Sequence, residues 1–159
     1  MATHNGLIHA PVDVVWQVLA DGYAYADWVV GTKAIRAVDA GWPAVGTSIH
    51  HRVGVGPLVI EDRTTVRVCD PGRRLELEAF AGPTGSARIA IELIPWGDDE
   101  CVVVIDEHPL RGPGRTLHVG LTEIPLQLRH RKLIGNLRRL VERRASAPAA
   151  QEVPDRSPA

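Results

Sequence analysis

Apolar residues Val12, Val15, Trp16 and Leu19 follow Pro11 at i, i+3, i+4 and i+7 spacing, which predicts a short amphipathic helix over Val12–Leu19. Gly22 breaks that pattern, and Tyr23 to Val29 reads as a second short helical stretch before Gly31. From Thr32 onward the period changes to two. Short β-type runs are separated by turn residues at Gly41, Pro43 and Gly46, at Gly54, Gly56 and Pro57, at Asp70–Gly72, at Gly82–Gly85 and at Gly97–Asp99. Strands are expected near Lys33–Ala40, Thr47–Val53, Leu58–Cys69, Arg74–Phe80, Ala87–Pro95 and Cys101–His108, with Ile8 marking a further strand at the start. Leu75, Leu77 and Ala79 alternate with Glu76 and Glu78, and Ile89, Ile91 and Leu93 with Arg88 and Glu92, so one sheet face is wet and the other covered. Between Thr122 and Arg144, Leu126, Leu133, Ile134, Leu137, Leu140 and Val141 return to helical spacing. Thr122 is a candidate cap and Pro125 a first-turn residue of this long helix. The order of elements is α+β, and the long helix must lie across the sheet to bury its stripe.

Composition narrows the function classes. The 159 residues suit one domain, read as 1–144, followed by a Pro/Ala-rich stretch at 145–159 that cannot offset its ordering entropy and is expected to be a disordered tail. A net charge of -1 supplies no field for polyanions, so nucleic acid is not the expected partner. Seven basic residues crowd the last helix (Arg129, Arg131, Lys132, Arg138, Arg139, Arg143 and Arg144), but they lie off its apolar stripe or in its final turn and read as a solvated face. Two cysteines, Cys69 and Cys101, read as free thiols. With no leader-like segment and no long apolar run, a cytoplasmic, non-integral protein is expected.

Chemistry is sought where polar residues fall in phase with inward apolar ones, because such groups require a partner, water or ligand. Ile49, His51 and Val53 share a phase, as do Leu58, Ile60, Asp62, Thr64, Val66 and Val68. A hairpin turning at Gly54–Pro57 would pair Val53 with Leu58, His51 with Ile60 and Ile49 with Asp62, leaving His51 and Asp62 as diagonal neighbours about 7–8 Å apart at the backbone. A buried carboxylate beside an imidazole fixes one tautomer, which serves a general base and equally serves to fasten a strand. His130, four residues from both Leu126 and Ile134, is aimed at the sheet, where a hydrogen-bonded core histidine is the plainer role. Glu107 is in phase with Val103 and Ile105 unless a bulge exchanges it for Asp106 and His108. His51, Asp62 and His130 are therefore the catalytic candidates. Ile49, Ile60, Thr64, Glu107, Leu126 and Ile134 are the candidate ligand-lining residues. Nothing resembles HExxH, CxxC, GxGxxG, GxxxxGK[ST] or GxSxG, so neither a metal nor a cofactor is expected.

The opening IHAPVDVVWQVLAD, the aromatic YAYADW followed by a strand, the VRVCDPGRRLELE unit and the closing NLRRLVE resemble, in this order, the START-like (SRPBCC) superfamily and its bacterial polyketide cyclase/dehydrase and lipid-transport group. The likeness covers about Thr3 to Arg144. It implies a helix-grip (Bet v 1-like) fold, a curved antiparallel sheet around a long C-terminal helix, enclosing a pocket for a lipid, quinone or polyketide-like ligand. It also implies that Tyr23, Tyr25 and Trp28 flank the cavity mouth, although core packing is as good a reading of that trio, whereas Trp16 reads as core. Three functions are then compatible: binding of a small hydrophobic ligand; a cyclase or dehydratase using the His/Asp set as general base; and partner binding of the chaperone-activator or ribosome-associated type. The oligomeric state is left open.

Overall fold

The computed structural model describes residues 2–55, 57–80, 85–111 and 126–147, with backbone alone at 2, 55, 58, 111 and 126–130. The elements are β1 (Ala2–Ile8), α1 (Val12–Leu19), a 3-10 turn (Gly22–Ala24), α2 (Tyr25–Trp28), β2 (Thr32–Val38), β3 (Ser48–Val55), β4 (Leu58–Asp70), β5 (Arg74–Phe80), β6 (Ser86–Trp96), β7 (Glu100–Arg111) and α3 (Leu126–Ser146). The seven strands form one antiparallel sheet in the order β1-β7-β6-β5-β4-β3-β2. The first strand is thus seven residues long rather than a single marker at Ile8. Helix α3 takes in Ala145 and Ser146, which the composition assigned to the tail; residues 148–159 lie outside the described residues, as do Thr122 and Pro125.

Local chemistry explains most boundaries. Pro11, with φ -65°, precedes α1, and Asp21 accepts hydrogen bonds from the amides of Tyr23 and Ala24, ending one helix and starting the next turn. Gly31 follows α2 at φ +96°, a left-handed conformation that a side chain would oppose. Two register shifts in β2 place its half-buried residues, Thr32, Ile35 and Val38, three apart instead of two.

The core lies on the inner face. Ile8, Ile49, Val66, Leu75, Leu77, Ile91, Val103 and Ile105 from the sheet meet Val15, Val18 and Leu19 of α1 and Leu133, Ile134, Leu137, Leu140 and Val141 of α3. Helix α3 packs on β1, α1 and α2. A Cβ at Gly6 of β1 would collide with Ile134, so the glycine sets how closely the helix approaches. Trp16 is not fully enclosed: it is half-buried at the edge of this core and lines an open depression of about 540 Å³ with Val12, Asp13 and Gly97. Exposed Arg131, Lys132, Arg138, Arg139, Arg143 and Arg144 lie off the buried stripe, and Arg144 bonds Asp21 at 2.7 Å, tying the end of α3 to the end of α1.

The outer face is charged but not uniformly wet. Glu76 and Glu78 are each only 8% exposed, because arginines from neighbouring strands lie over them. Arg88 forms a two-pronged contact with Glu76 (2.7 and 2.8 Å), Arg74 bridges Glu76 and Glu92, and Glu78 accepts from Arg67 and Ser86.

Candidate functional site

The β3–β4 hairpin turns later than the spacing suggested. Val55 pairs with Leu58, Val53 with Ile60, His51 with Asp62 and Ile49 with Thr64, so the ladder runs on past Val53. The two-residue slip preserves which side chains face inward but changes every partner. His51 and Asp62 become directly opposed rather than diagonal.

Opposition does not produce contact between the two functional groups. Nε2 of His51 lies 2.9 Å from Thr64 Oγ1, while Asp62 Oδ1 accepts the amide of Arg63 at 2.7 Å. The expected carboxylate–imidazole bond is therefore replaced by a hydroxyl–imidazole bond. Thr64, fully buried, also lies 3.2 Å from Tyr25 Oη. The phenol ring stacks on His51 (centroids 5.4 Å, 29°) and meets Trp28 edge-on (5.4 Å, 66°). Tyr25, Trp28 and His51 are each 3% exposed. Among the described residues, His51 Nδ1 and Trp28 Nε1 are buried polar atoms without a hydrogen-bond partner.

Electrostatics follow from burial. Desolvation, with a smaller contribution from neighbouring His50, pushes the His51 pKa down to about 4, so the ring is neutral near pH 7. Desolvation raises the Asp62 pKa, opposed by the Arg63 amide bond and the Arg63 charge.

The remaining candidates are distributed unevenly. Ile49 is fully buried beside Thr64, and Ile134 is packed into the core over β1. Tyr23 is 67% exposed and separated in environment from Tyr25 and Trp28. Ile60, 39% exposed, stands near the hairpin tip. Glu107 keeps phase with Val103 and Ile105 without a bulge, pairs with Ile89, and is half-buried. The side chains of Leu126 and His130 lie outside the described residues. Asn136 was not singled out from the sequence. Its Nδ2 donates to the Trp28 carbonyl at 3.5 Å, joining α3 to α2; its place between Leu133 and Leu140 on the buried side of the helix was the available signal.

An open depression of about 620 Å³ borders this region, lined by Arg36, Ala37, His50, His51, Glu61, Asp62, Arg63 and Phe80. Its lining combines outer-phase side chains (His50, Glu61, Arg63 and Phe80) with His51 and Asp62, so it runs along the outer side of the hairpin and meets the buried Tyr25–Thr64–His51 cluster at His51. Among the described residues no group of three or more His, Cys, Asp or Glu is placed to hold a metal ion, and no helix is long and apolar enough to cross a membrane.

The architecture is the START-like helix-grip fold. No protein-family model and no curated protein matches the chain. Solved structures do. The ZhuI aromatase/cyclase of Streptomyces sp. R1128 is similar at a TM-score of 0.65 and 21% identity, over 92% of this chain and 95% of that one. A START superfamily protein from Mycobacterium smegmatis is similar at 0.66 and 14%, over 89% and 97%. The di-domain aromatase/cyclase BexL of the BE-7585A biosynthetic pathway is similar at 0.69 and 18%, over 92% of this chain and 47% of that one.

Proposed function

We propose that this protein binds a small, largely apolar ligand on the inner face of its sheet, with the polar end of the ligand directed at Tyr25, Trp28, His51 and Thr64. The observation that carries this reading is the pair of buried nitrogens, His51 Nδ1 and Trp28 Nε1, that have no partner among the described residues and stand beside apolar core side chains. An unmade hydrogen bond in such a place costs about 1–3 kcal/mol, and a ligand oxygen would recover that cost. The likeness of fold to START and aromatase/cyclase structures supports the same reading. Mass spectrometry of molecules copurifying with the native protein, followed by thermal shift against lipids, quinones and aromatic polyketides, tests it. A ligand that raises the melting temperature in a concentration-dependent way is expected; no stabilisation by any of the three classes would refute it.

A second reading, a cyclase or dehydratase acting on a polyketide-like chain, draws support from the two aromatase/cyclase structures. In that reading Thr64 rather than Asp62 orients the imidazole. The lowered basicity of His51 weakens it as an acceptor of a carbon-bound proton and suits it better to polarising a carbonyl. Turnover of a polyketide-like substrate that survives His51→Ala unchanged would remove this role.

A further inference from the structure

Three buried polar groups, Tyr25 Oη, Thr64 Oγ1 and His51 Nε2, stand in line at 3.2 and 2.9 Å. Thr64 has one proton to give, and imidazole nitrogen is a better acceptor than a phenol oxygen, while a phenol is the better donor. The Thr64 O–H is therefore directed at His51 Nε2. A neutral ring that accepts at Nε2 carries its hydrogen on Nδ1, the atom left without a partner among the described residues. Trp28 Nε1 can only donate, and it too is unpartnered. Both N–H-bearing rings lean on the same Tyr25 ring, one stacked and one edge-on.

We infer that Thr64 locks His51 in the Nδ1–H tautomer, so that His51 and Trp28 present two N–H donors to the acceptor oxygens of a neutral carbonyl-bearing ligand, and His51 acts as a donor rather than a base. This rests on the binding function proposed above and narrows it to a ligand class: ketones, quinones and related neutral carbonyl compounds rather than plain hydrocarbons. Thr64 is a positioning residue, since it acts through the imidazole.

The tautomer is measurable without a ligand. In the full-length protein labelled with ¹⁵N-histidine, long-range proton–nitrogen correlation reports which ring nitrogen is protonated for each of the seven histidines, and His51→Gln identifies the signals of His51. The expected result is a protonated Nδ1 and a bare Nε2 at pH 7, loss of that preference in Thr64→Val, and its return in Thr64→Ser, which keeps the hydroxyl. If the valine variant does not fold, Thr64→Ala gives the same readout. A proton on Nε2 in the wild type, or an unchanged pattern in the folded hydroxyl-free variant, overturns the inference.

The ligand class is read with 2-acetylnaphthalene and 2-ethylnaphthalene, which differ in little beyond one carbonyl. A merely apolar pocket prefers the hydrocarbon, which leaves water more readily. Two waiting donors reverse the order, with the ketone bound about tenfold more tightly and the preference lost in Thr64→Val or Thr64→Ala. Equal or tighter binding of the hydrocarbon would sink the donor pair while leaving the binding function intact. Binding of neither probe, with no stabilisation by the wider ligand panel, refutes the binding function and the ligand class together, whatever the tautomer.

Discussion

His51 and Asp62 are register partners across β3 and β4, yet the imidazole bonds to Thr64, two residues along the strand, while the carboxylate folds back onto the amide of Arg63. Proximity at the backbone did not decide the pairing; the inward position of Thr64 beneath Tyr25 did. The imidazole is consequently held by an uncharged neighbour and pays the full desolvation cost of protonation.

That cost makes stability pH-dependent. The unfolded chain protonates His51 near 6.5 and the folded chain only near 4, so the contribution of the neutral ring is fully present above pH 6.5 and lost as pH falls toward 4. The loss is on the order of 3 kcal/mol. Urea unfolding of wild type and His51→Gln at pH 7.5 and pH 4 checks it: the wild type should lose more stability than the variant over that interval.

Glu76 behaves in the opposite electrostatic sense. Bonds from Arg88, and then Arg74, hold its carboxyl at about 2, so its contribution is complete above 4.5 and declines as pH drops toward 2. Glu76→Gln should cost about 2 kcal/mol at pH 7, because it leaves two half-buried guanidiniums facing a neutral amide. The gap between variant and wild type should narrow at pH 3 in the same unfolding assay.

Gly6 limits the approach of α3 to the sheet, and Ile134 Cγ2 is the atom that a new Cβ would meet first. Gly6→Ala should destabilise by about 1–3 kcal/mol through overpacking. Adding Ile134→Leu, which moves the branch away from Cβ, should recover part of the loss in melting temperature. A double variant no more stable than Gly6→Ala would show that the collision lies elsewhere.

Both thiols are shifted toward the unreactive form, Cys101 by burial and Cys69 by burial and then the charge of Asp70. Iodoacetamide at pH 7.5 should leave Cys101, fully buried, unmodified in the folded protein and label Cys69 slowly. Urea should make both accessible, as mass spectrometry of tryptic peptides would record.

Element type was legible because apolar periodicity marks the inward residues: Leu75, Leu77, Ile91 and Leu93 of the sheet and the stripe on α3 are enclosed, whereas the burial of Glu76 and Glu78 on the other face comes from arginines of neighbouring strands that the alternation does not report. Hairpin register was less legible. Val53, Val55, Leu58 and Ile60 are interchangeable as apolar strand residues, so pairing Val53 with Leu58 or with Ile60 leaves the same inward set. Only the three-dimensional arrangement distinguishes Asp62 from Thr64 as the neighbour of His51, since that depends on Tyr25 arriving from a different element. Trp16 packs against the core as its helical phase indicates, and the groove beside Gly97 leaves one side of the ring uncovered. For Glu107 the phase was right and unbroken by a bulge.

Among the described residues the strand Ala2–Ile8 has β7 as its sole ladder partner, with Ala2 opposite Glu107 and Ile8 opposite Cys101, and the same strand supplies the floor for Ile134. Completing this edge of the sheet therefore brings together segments roughly a hundred positions apart. Such long-separation pairing slows folding relative to a helical bundle of this size, because the loop-closure entropy is lost before the contacts of β1 with β7 and α3 can offset it.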